Sequence, residues 1–572
     1  MAKIRPEKAD EKAMITEFGG IRQTSSLTGN SASEMRNFRI CSDGSLEKRT
    51  GTRTLFDLGV RIRGLWQGSL GGSDYLIVVA GNRTYVRLPG DSELTPKTRL
   101  STSSGSVSFT VFRQTLLLFD GYSIYRFSTS TNTFSSAYGY APLYGDGWDP
   151  IQMGRVNEPL NALSAKIRIR YDNSAGSTEF HLPYAAQSIS RVEVDGTAVT
   201  PTFTARTTTF SIPQVYAHGV LTVALTLISN YDHRSSVCSL PRSFLFAGSR
   251  ETLLAYGGTN SCQMAYTAPV SDEMIEESNR VFSSSSEIPL YFPIDRFFAL
   301  ADTTHPIHAV FRDRDRAIAM NDRFAWALEF SGDRLISYPL EGGLGCASPG
   351  GLALCGAHPV AVQAGGIFQL RFPSGESDVC IAESISREVI ELLPPSVFQN
   401  GILAWFPGRD ELWLRDPTED EEGIVWVYKR ERKEWYCFDS LYISDFFALD
   451  GTIGFGTADG KILLPDETSH TDSGEPITAT YLSRFIAFSS PENYKRALRV
   501  TVCADTGGQQ LLVVAETDSR SRSFTAESAQ SGRPRFFESG INLGRFRFVR
   551  FAFRIAGSSA ARIYRLSMLA AQ

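Results

Sequence analysis

The sequence YLIVVAGNRTYVRL, residues 75–88, contains two short runs of strand-forming residues separated by Gly81 and Asn82. Apolar residues at every position from 75 to 79 predict a strand that is buried on both faces, because a strand with one solvated face alternates apolar and polar residues. Glycine followed by asparagine suits a tight turn. The segment therefore predicts an antiparallel hairpin, which is too small to bury both faces without neighbouring sheets.

The same arrangement of two apolar runs around a turn recurs along the chain. It is found at residues 116–127, 324–338 and 424–438. Many such hairpins without long intervening helices favour a sandwich, a barrel or a radial propeller. Burial on both faces is typical of stacked propeller blades. The sequence predicts an all-β fold whose main part is a β-propeller of about six or seven blades.

Two regions depart from this pattern and suggest domain boundaries. Strict alternation of apolar and polar residues predicts a small β-sandwich inserted into a propeller loop, and a polar linker near residue 468 precedes a C-terminal β-sandwich. The predicted domains are an N-terminal arm at 1–34, the first part of the propeller at 35–158, the inserted sandwich at 159–230, the remainder of the propeller at 231–467 and the C-terminal sandwich at 468–572.

Helix signals are few. Residues 384–393, SISREVIELL, combine a serine able to cap a helix with a proline that follows at position 394, and they predict a short helix. Residues 7–18 give a second, less regular helical pattern.

Composition and charge limit the classes of function. A formal charge of −5 over 572 residues argues against a protein that coats nucleic acid by neutralising phosphates, but it does not argue against a protein that encloses DNA. The eight cysteines show no C-x-x-C spacing, which predicts reduced thiols in a chain folded in a cytosol. The N-terminus has no apolar signal region, and no window has the length of a membrane span.

Motifs that carry chemistry are not found in the sequence. Phosphate loops, nucleophile elbows and H-E-x-x-H are missing. His305 and His308 are predicted to occupy an ordinary turn instead of a metal site. The acidic run at 416–422 predicts a solvated hairpin tip, since it lacks the glycine-spaced register of a calcium loop. We therefore predict no catalytic residue, no cofactor and no metal.

The N-terminal residues 19–55 form a polar arm followed by a hairpin whose turn is Asp43-Gly44. An N-x-R pair at 37–39 precedes the turn, a K-R-x-G exit at 48–51 follows it, and Arg53 comes next. This order resembles the opening of the tail nozzle, or packaged-DNA stabilisation, proteins of short-tailed bacteriophages.

Three further blocks carry the resemblance through the middle of the chain. A Y-F-P triplet at 291–293 followed by H-P-I at 305–307 is similar to one propeller blade of these phage proteins. The block GGLGCASP at 342–349 with G-G-I-F at 365–368 is similar to the next. A short helix near 385–390 followed by a hairpin at 404–414 completes the series.

The resemblance implies a structural virion protein with no enzyme activity. It implies a six-fold homo-oligomeric ring in the virion tail, made and assembled in the host bacterial cytoplasm, which extends the DNA channel below the portal and adaptor proteins. Double-stranded DNA would pass through it without sequence-specific binding, and tail fibres or spikes would attach to it. The basic residues that we predict to contact other subunits or the adaptor are Arg36, Arg39, Lys48, Arg49 and Arg53.

Other interpretations remain open at the level of sequence. One is a propeller that binds or cleaves host glycans, which in a glycosidase requires two carboxylates in one cleft. Another is a hub or baseplate element of a long-tailed phage. The arm at 1–34 is either a disordered terminus or a segment that folds against a partner.

Overall fold

The computed structural model of the chain describes residues 10–23, 30–88, 90–105, 107–112, 114–120, 124–137, 140–161, 165–216, 219–227, 243–246, 252–256, 263–265, 274–276, 280–285, 288, 290–300, 305, 307–313, 316–331, 334–342, 345–356, 358–372, 379–419, 421–449, 452–488, 491–528 and 532–571. Two compact units are present. The first comprises Met1–Ile62, Gly350–Leu370 and Glu383–Gln572, and the second comprises Arg63–Pro349 and Arg371–Ala382.

The described chain consists mainly of short β-strands. The first strands are β1 (Glu11–Ile15), β2 (Ala32–Arg36), β3 (Phe38–Ile40), β4 (Leu46–Lys48), β5 (Gly51–Asp57), β6 (Ile62–Leu70), β7 (Ser73–Ala80), β8 (Arg83–Arg87), β9 (Thr95–Arg99), β10 (Ser108–Phe112), β11 (Thr115–Phe119), β12 (Ile124–Ser128) and β13 (Thr133–Ser136). The next are β14 (Leu143–Trp148), β15 (Lys166–Asn173), β16 (Glu179–Val194), β17 (Thr197–Ala198), β18 (Thr202–Phe203), β19 (Thr207–Ser211) and β20 (Gly219–Leu227).

The central strands are β21 (Ser243–Phe246), β22 (Thr252–Tyr256), β23 (Gln263–Ala265), β24 (Met274–Glu276), β25 (Arg280–Ser283), β26 (Phe297–Ala299), β27 (Ile307–Asp313), β28 (Arg316–Asn321), β29 (Ala325–Ser331), β30 (Arg334–Pro339), β31 (Leu352–Cys355), β32 (His358–Gln363), β33 (Gly366–Arg371) and β34 (Ile381–Ser384). The last are β35 (Ile402–Phe406), β36 (Glu411–Arg415), β37 (Val425–Lys429), β38 (Glu434–Phe438), β39 (Ile443–Leu449), β40 (Thr452–Thr457), β41 (Lys461–Asp466), β42 (Thr471–Asp472), β43 (Glu475–Ser483), β44 (Ile486–Ala487), β45 (Lys495–Asp505), β46 (Leu511–Thr517), β47 (Ser521–Ala526), β48 (Arg535–Ser539), β49 (Arg545–Phe546), β50 (Phe548–Gly557) and β51 (Arg562–Ala571).

Helix is limited in the described residues to α1 (Val397–Asn400) and a 3₁₀ turn at Pro407–Arg409. Both helix predictions are wrong. Residues 385–393 form consecutive turns, and the one α-helix follows the two prolines at 394 and 395. The other predicted helix contains β1, whose pairing with β51 outweighs its weak helical pattern. No helix in the described ranges has the length and apolarity needed to cross a membrane.

Seven four-stranded groups with the strand order of a propeller blade are found among the described residues: five are separate sheets, and two, β35–β38 and β39-β40-β41-β5, are parts of a fifteen-stranded sheet. The second unit contains four of them, β6–β9, β10–β13, β21-β22-β25-β26 and β27–β30, and the first unit contains β35–β38, β39-β40-β41-β5 and most of β31–β34. The predicted all-β propeller is thus confirmed, and the four hairpins predicted from sequence are β7–β8, β11–β12, β29–β30 and β37–β38.

Blades pack face to face through the apolar runs that identify them in the sequence. In β7, all six residues from Tyr75 to Ala80 are buried, as the absence of alternation predicts. Ile77 and Val79 belong to one buried cluster with Leu116 and Leu118 of the next blade. In the first unit, the ring of Trp413 on β36 stacks on Phe455 of β40, with ring centroids 5.2 Å apart. Such contacts bury both faces of each blade.

The inserted domain is a seven-stranded sheet, β14–β20, that curves around its own core. The first part of the long strand β16 pairs with β19 and its second part pairs with β20. The bend brings Phe180 onto Phe210, with ring centroids 5.1 Å apart. The sheet includes β14, which lies before the predicted boundary at residue 159. The glycines of β14 weaken its strand pattern, so the sequence did not indicate it as part of this domain.

The C-terminal sandwich is built from both ends of the chain. One sheet has the order β3-β4-β51-β45-β48, with β1 paired to β51 and β49 to β45. The facing sheet contains β2, β43, β50, β46 and β47. Strand β1 lies within the predicted arm, and β2 crosses the arm's predicted end at residue 34. The β3–β4 hairpin, expected to lead into the first blade, pairs with β51. The Asp43-Gly44 turn has the predicted geometry, with φ of +77° at Gly44.

The strand that follows this hairpin completes the last blade. β5 pairs with β41 from Gly51–Asp466 to Asp57–Lys461, so a blade begun near residue 443 is finished by residues 51–57. Gly51 begins this strand, and its amide donates to the Ser469 carbonyl at 2.8 Å. A Cβ at position 51 would overlap the backbone carbonyl of Thr471. Glycine at 51 thus permits the backbones to approach.

We expect Gly51→Ala to lower the free energy of unfolding by about 1–3 kcal/mol or more, because the overlap is with rigid backbone. Urea denaturation followed by circular dichroism measures the change. Gly365→Ala is the matched control, since a Cβ there meets no atom within 4 Å. Equal stability of the two variants would contradict the close approach at Gly51.

Candidate functional site: a buried polar seam at the N-terminal hairpin

The residues that carry the N-terminal motif converge on a buried polar seam in the first unit. This seam consists of the side chains of Asn37, Arg39, Lys48, Arg49, Glu411, Asp439 and Asp472. Its members come from the N-terminal hairpin, two propeller blades and the linker to the C-terminal sandwich. The ion pairs described below therefore join segments that are far apart in sequence.

Asn37 is the joint between β2 and β3. Its φ of +57° lies in the left-handed region, which asparagine tolerates better than most residues. Its side-chain amide donates to Asp439 Oδ1 at 2.5 Å and to the Thr478 carbonyl at 2.8 Å. Its Oδ1 accepts from Arg49 Nε at 2.8 Å and from the Asp439 amide at 3.1 Å. All polar groups of this side chain are satisfied, so the bend is fixed.

Arg49 forms a bidentate ion pair with Asp472. Nη1 donates to Oδ1 at 2.9 Å and Nη2 to Oδ2 at 2.5 Å, and only 2% of the arginine side chain is exposed. Thr52 adds a hydrogen bond to the same carboxylate, and His470 contacts the Arg49 carbonyl oxygen through Nδ1 at 2.9 Å. Paired, charge-assisted bonds of this type are strong and directional. They bind the hairpin to the linker.

Arg39 and Arg49 lie against the ring of Phe438, with guanidinium carbons 5.0 and 5.4 Å from its centroid. Arg39 also pairs with Glu411, at 3.4 Å between Nη2 and Oε2. That carboxylate accepts further bonds from the Trp413 indole at 3.0 Å and the Tyr436 hydroxyl at 2.9 Å. Burial raises the pKa of Tyr436 well above its usual value. The Glu411 carboxylate and the face of the Phe438 ring thus stabilise the two guanidinium groups in a buried environment.

Lys48 is fully buried and has no carboxylate partner among the described residues. Its Nζ donates to Gln509 Oε1 at 3.0 Å and to the Gly557 carbonyl at 2.5 Å. Burial, aided by the positive charge of Arg49, lowers the pKa of Lys48 to about 8. The ammonium group thereby anchors β4 to the β45–β46 loop and to the end of β50 in the C-terminal sandwich.

The five basic residues predicted as contact sites separate into two groups. Arg39, Lys48 and Arg49 are buried inside the chain and hold its segments together. Arg53 is exposed, and Arg36 is 30% exposed. The prediction that these five basic residues contact other subunits or the adaptor stays a prediction, and of the five only Arg36 and Arg53 are accessible in the single chain.

Sequence reasoning missed the acidic half of the seam. Asp472 was assigned only to a polar linker, and Glu411 and Asp439 follow or precede apolar strands without any motif of their own. Their partners in the seam, Arg49, Arg39 and Asn37, are between 372 and 423 residues away along the chain. The one available signal was an unexplained charged cluster next to residues that were expected to be buried.

The other sites considered in the sequence have structural partners. His305 Nδ1 lies 2.9 Å from Asp322 Oδ1, and His308 Nδ1 lies 2.7 Å from the Cys346 carbonyl. Burial lowers the pKa of His308. In the acidic run, Glu419 accepts bonds from Arg415 and from backbone amides of its own loop. Within the described residues, no group of three or more His, Cys, Asp or Glu is arranged to hold a metal ion.

Comparison with known proteins gives no family for the chain. No family model and no curated protein matches it. Among solved structures, a glycoside hydrolase is similar at 10% identity and a TM-score of 0.23, over 90% of this chain and 99% of that one. A chain from the crystal structure of BBS1N in complex with ARL6DN is similar at 9% identity and a TM-score of 0.25, over 73% and 98%. At these TM-scores neither likeness supports an inference.

We expect Asp472→Asn to lower the free energy of unfolding by about 3 kcal/mol, because it leaves the Arg49 charge buried without a counter-ion. Chemical denaturation measures the loss. Glu538→Gln is the matched control: Glu538 pairs with Arg499 at 3.1 Å, but both side chains are about half exposed. That variant should change stability by less than about 0.5 kcal/mol. Similar losses in both would contradict the importance assigned to the buried pair.

The depressed pKa of Lys48 predicts a specific pH dependence. Its folded pKa of about 8 lies below the ordinary value of 10.5, so the unfolded chain binds more protons between these pH values. Stability must therefore rise with pH across this window, and the full penalty is present below about pH 8. From pH 8 to 9.5, we expect wild type to gain about 1–2 kcal/mol relative to Lys48→Met.

Denaturation of both proteins at several pH values tests this expectation. Contributions from thiols and tyrosines cancel in the difference between the two proteins. Lys97→Met, at an exposed lysine, is the control and should show no such trend. A constant difference between wild type and Lys48→Met would contradict a buried, destabilised ammonium group.

Proposed function

We propose that this chain is a structural component of a bacteriophage tail, a nozzle that extends the DNA channel below the portal and adaptor. The observation that carries the proposal is the structural role of the N-x-R and K-R-x-G residues, the motif on which the family resemblance rests. Asn37, Arg49 and Gly51 join both ends of the chain to one blade and to the C-terminal sandwich. These motif residues thus hold distant segments of the chain together.

Such construction suits a protein that must stay closed around a packaged genome until ejection. Opening the blade at β5 requires separating seven residues of strand and breaking the Arg49–Asp472 pair. The N-terminal strands add further pairing to the C-terminal sandwich. Because these strand pairings and this ion pair join segments that are remote in sequence, local unfolding of any one segment is opposed by the others.

The charge distribution is compatible with a conduit for DNA. The chain has a formal charge of −5, and three of the five motif cations are buried. A channel with few exposed cations lets phosphates slide with little retention, since each phosphate contact adds a barrier. In this proposal the protein works in the virion tail as a homo-oligomeric ring, contacts adaptor and fibre proteins, and performs no covalent step.

Electron microscopy of the purified full-length chain tests this function. We expect rings, six-fold according to the family resemblance, around an axial channel. Incubation with bacterial polysaccharide, followed by measurement of reducing ends, is the accompanying assay and should show no cleavage. A monomeric protein that degrades polysaccharide would overturn the proposal in favour of a glycan-cleaving propeller.

A further inference from the structure

The outer surface of one sandwich sheet carries an unusual set of side chains. This sheet contains β1, β51, β45 and β48 in spatial order. We define its basic face by six exposed residues, Lys12, Met14, Arg496, Arg499, Phe536 and Arg565.

Strand register places these residues on one side of the sheet. Met14 is opposite Ser567, which is opposite Thr501, which is opposite Glu538. Residues two positions away on each strand point the same way. Lys12 and Arg499 therefore join this face, as do Arg565 and Phe536. A bulge in β45 between Ala497 and Arg499 places Arg496 opposite Ala571, four positions from Ser567, and so on the same face. The alternate residues of β51 point into the core.

The face has an excess of positive charge. Glu538 pairs with Arg499 at 3.1 Å, and it is the one carboxylate in the rows defined above. Lys12 and Arg496 form no ion pair with a described residue, and the guanidinium of Arg565 lies 5.8 Å from the Phe536 ring centroid. A partner for this surface must therefore carry negative charge.

Apolar side chains distinguish a protein partner from nucleic acid. Phe536 is 61% exposed and Met14 is 46% exposed, both amid the cations. Aromatic residues, methionine and arginine are the types enriched at protein interfaces. A phosphate backbone is recognised by charge and hydrogen bonds and makes no use of large apolar groups.

The remainder of the chain offers the complementary charge. Residues 468–572 contain fourteen Lys and Arg against eight Asp and Glu, whereas the rest contains 43 against 54. At the described surface, carboxylates of Glu34, Glu422 and Asp439 lie 2.9, 3.0 and 4.0 Å from the single guanidinium of Arg36. One copy therefore presents both a basic and an acidic surface.

We propose that the basic face docks onto the acidic surface around Arg36 of a second copy of this chain. Contact between two unlike surfaces is heterologous, and repetition of such a contact closes a ring when the rotation permits. This inference rests on the proposed ring and identifies which surfaces form it. It also gives Arg36 a role at the contact, as the centre of an acidic cluster.

Sedimentation of the full-length chain over a range of concentrations tests the contact. Arg499→Glu combined with Arg565→Glu should weaken self-association at least about tenfold, because it places like charges against each other. Phe536→Ser should weaken it without changing the charge. Mixing the double variant with Glu34→Lys/Glu422→Lys should restore association between the two.

The matched control is Arg126→Glu, which reverses an exposed arginine on β12, a strand that belongs to neither sandwich sheet, and should assemble like wild type. Thermal melts by circular dichroism verify that every variant is folded. Rings of wild-type affinity in the face variants would overturn this inference and leave the proposed function standing. A monomeric wild type that cleaves polysaccharide would overturn both. If wild type binds DNA fragments and the double variant does not, the basic face binds nucleic acid and the inference of a protein partner is overturned.

Discussion

The buried ion pair between Arg49 and Asp472 is the interaction on which the organisation of the first unit depends. It connects the end of the N-terminal hairpin to the linker that follows the last propeller blade. The same arginine bonds to Asn37, which fixes the bend between the two sandwich sheets. A charge in this environment requires its partner, since an unpaired buried ion is strongly destabilising. Folding of the sandwich therefore requires both chain ends to be in place.

The class of fold could be predicted from sequence because hairpins are local. Residues 75–88 contain both strands and their turn, and burial of β7 on both faces follows from its unbroken apolar run. Completion of a blade by β5 and the pairing of β1 with β51 could not be predicted, because these partners are hundreds of residues apart. The prediction of a helix at 384–393 was wrong for a related reason, since tertiary packing outweighed a modest local helix propensity.

The candidate site was half predictable for the same reason. The N-x-R and K-R-x-G pattern correctly marked Arg49 as unusual, but basic side chains next to a polar arm favoured an exposed role. Lys48 and Arg49 are instead buried, and their donors are used by Gln509 and Asp472 inside the chain, while contact of the motif residues with a partner stays a prediction. Exposed charge lies elsewhere, on the outer face of the C-terminal sandwich. Three motif residues, Arg39, Lys48 and Arg49, thus build the fold, whereas the accessible Arg36 and the basic face of the sandwich belong to the surfaces proposed to meet a second copy.

Hydrogen exchange of the intact chain, followed by mass spectrometry, tests most directly whether the N-terminal hairpin holds the sandwich and the last blade together. The account predicts that β3, β4 and β5 exchange slowly, at a rate shared with residues 469–483 and with β51, because these segments open together. Rapid exchange in β3 to β5, while β43, β50 and β51 stay protected, would contradict it.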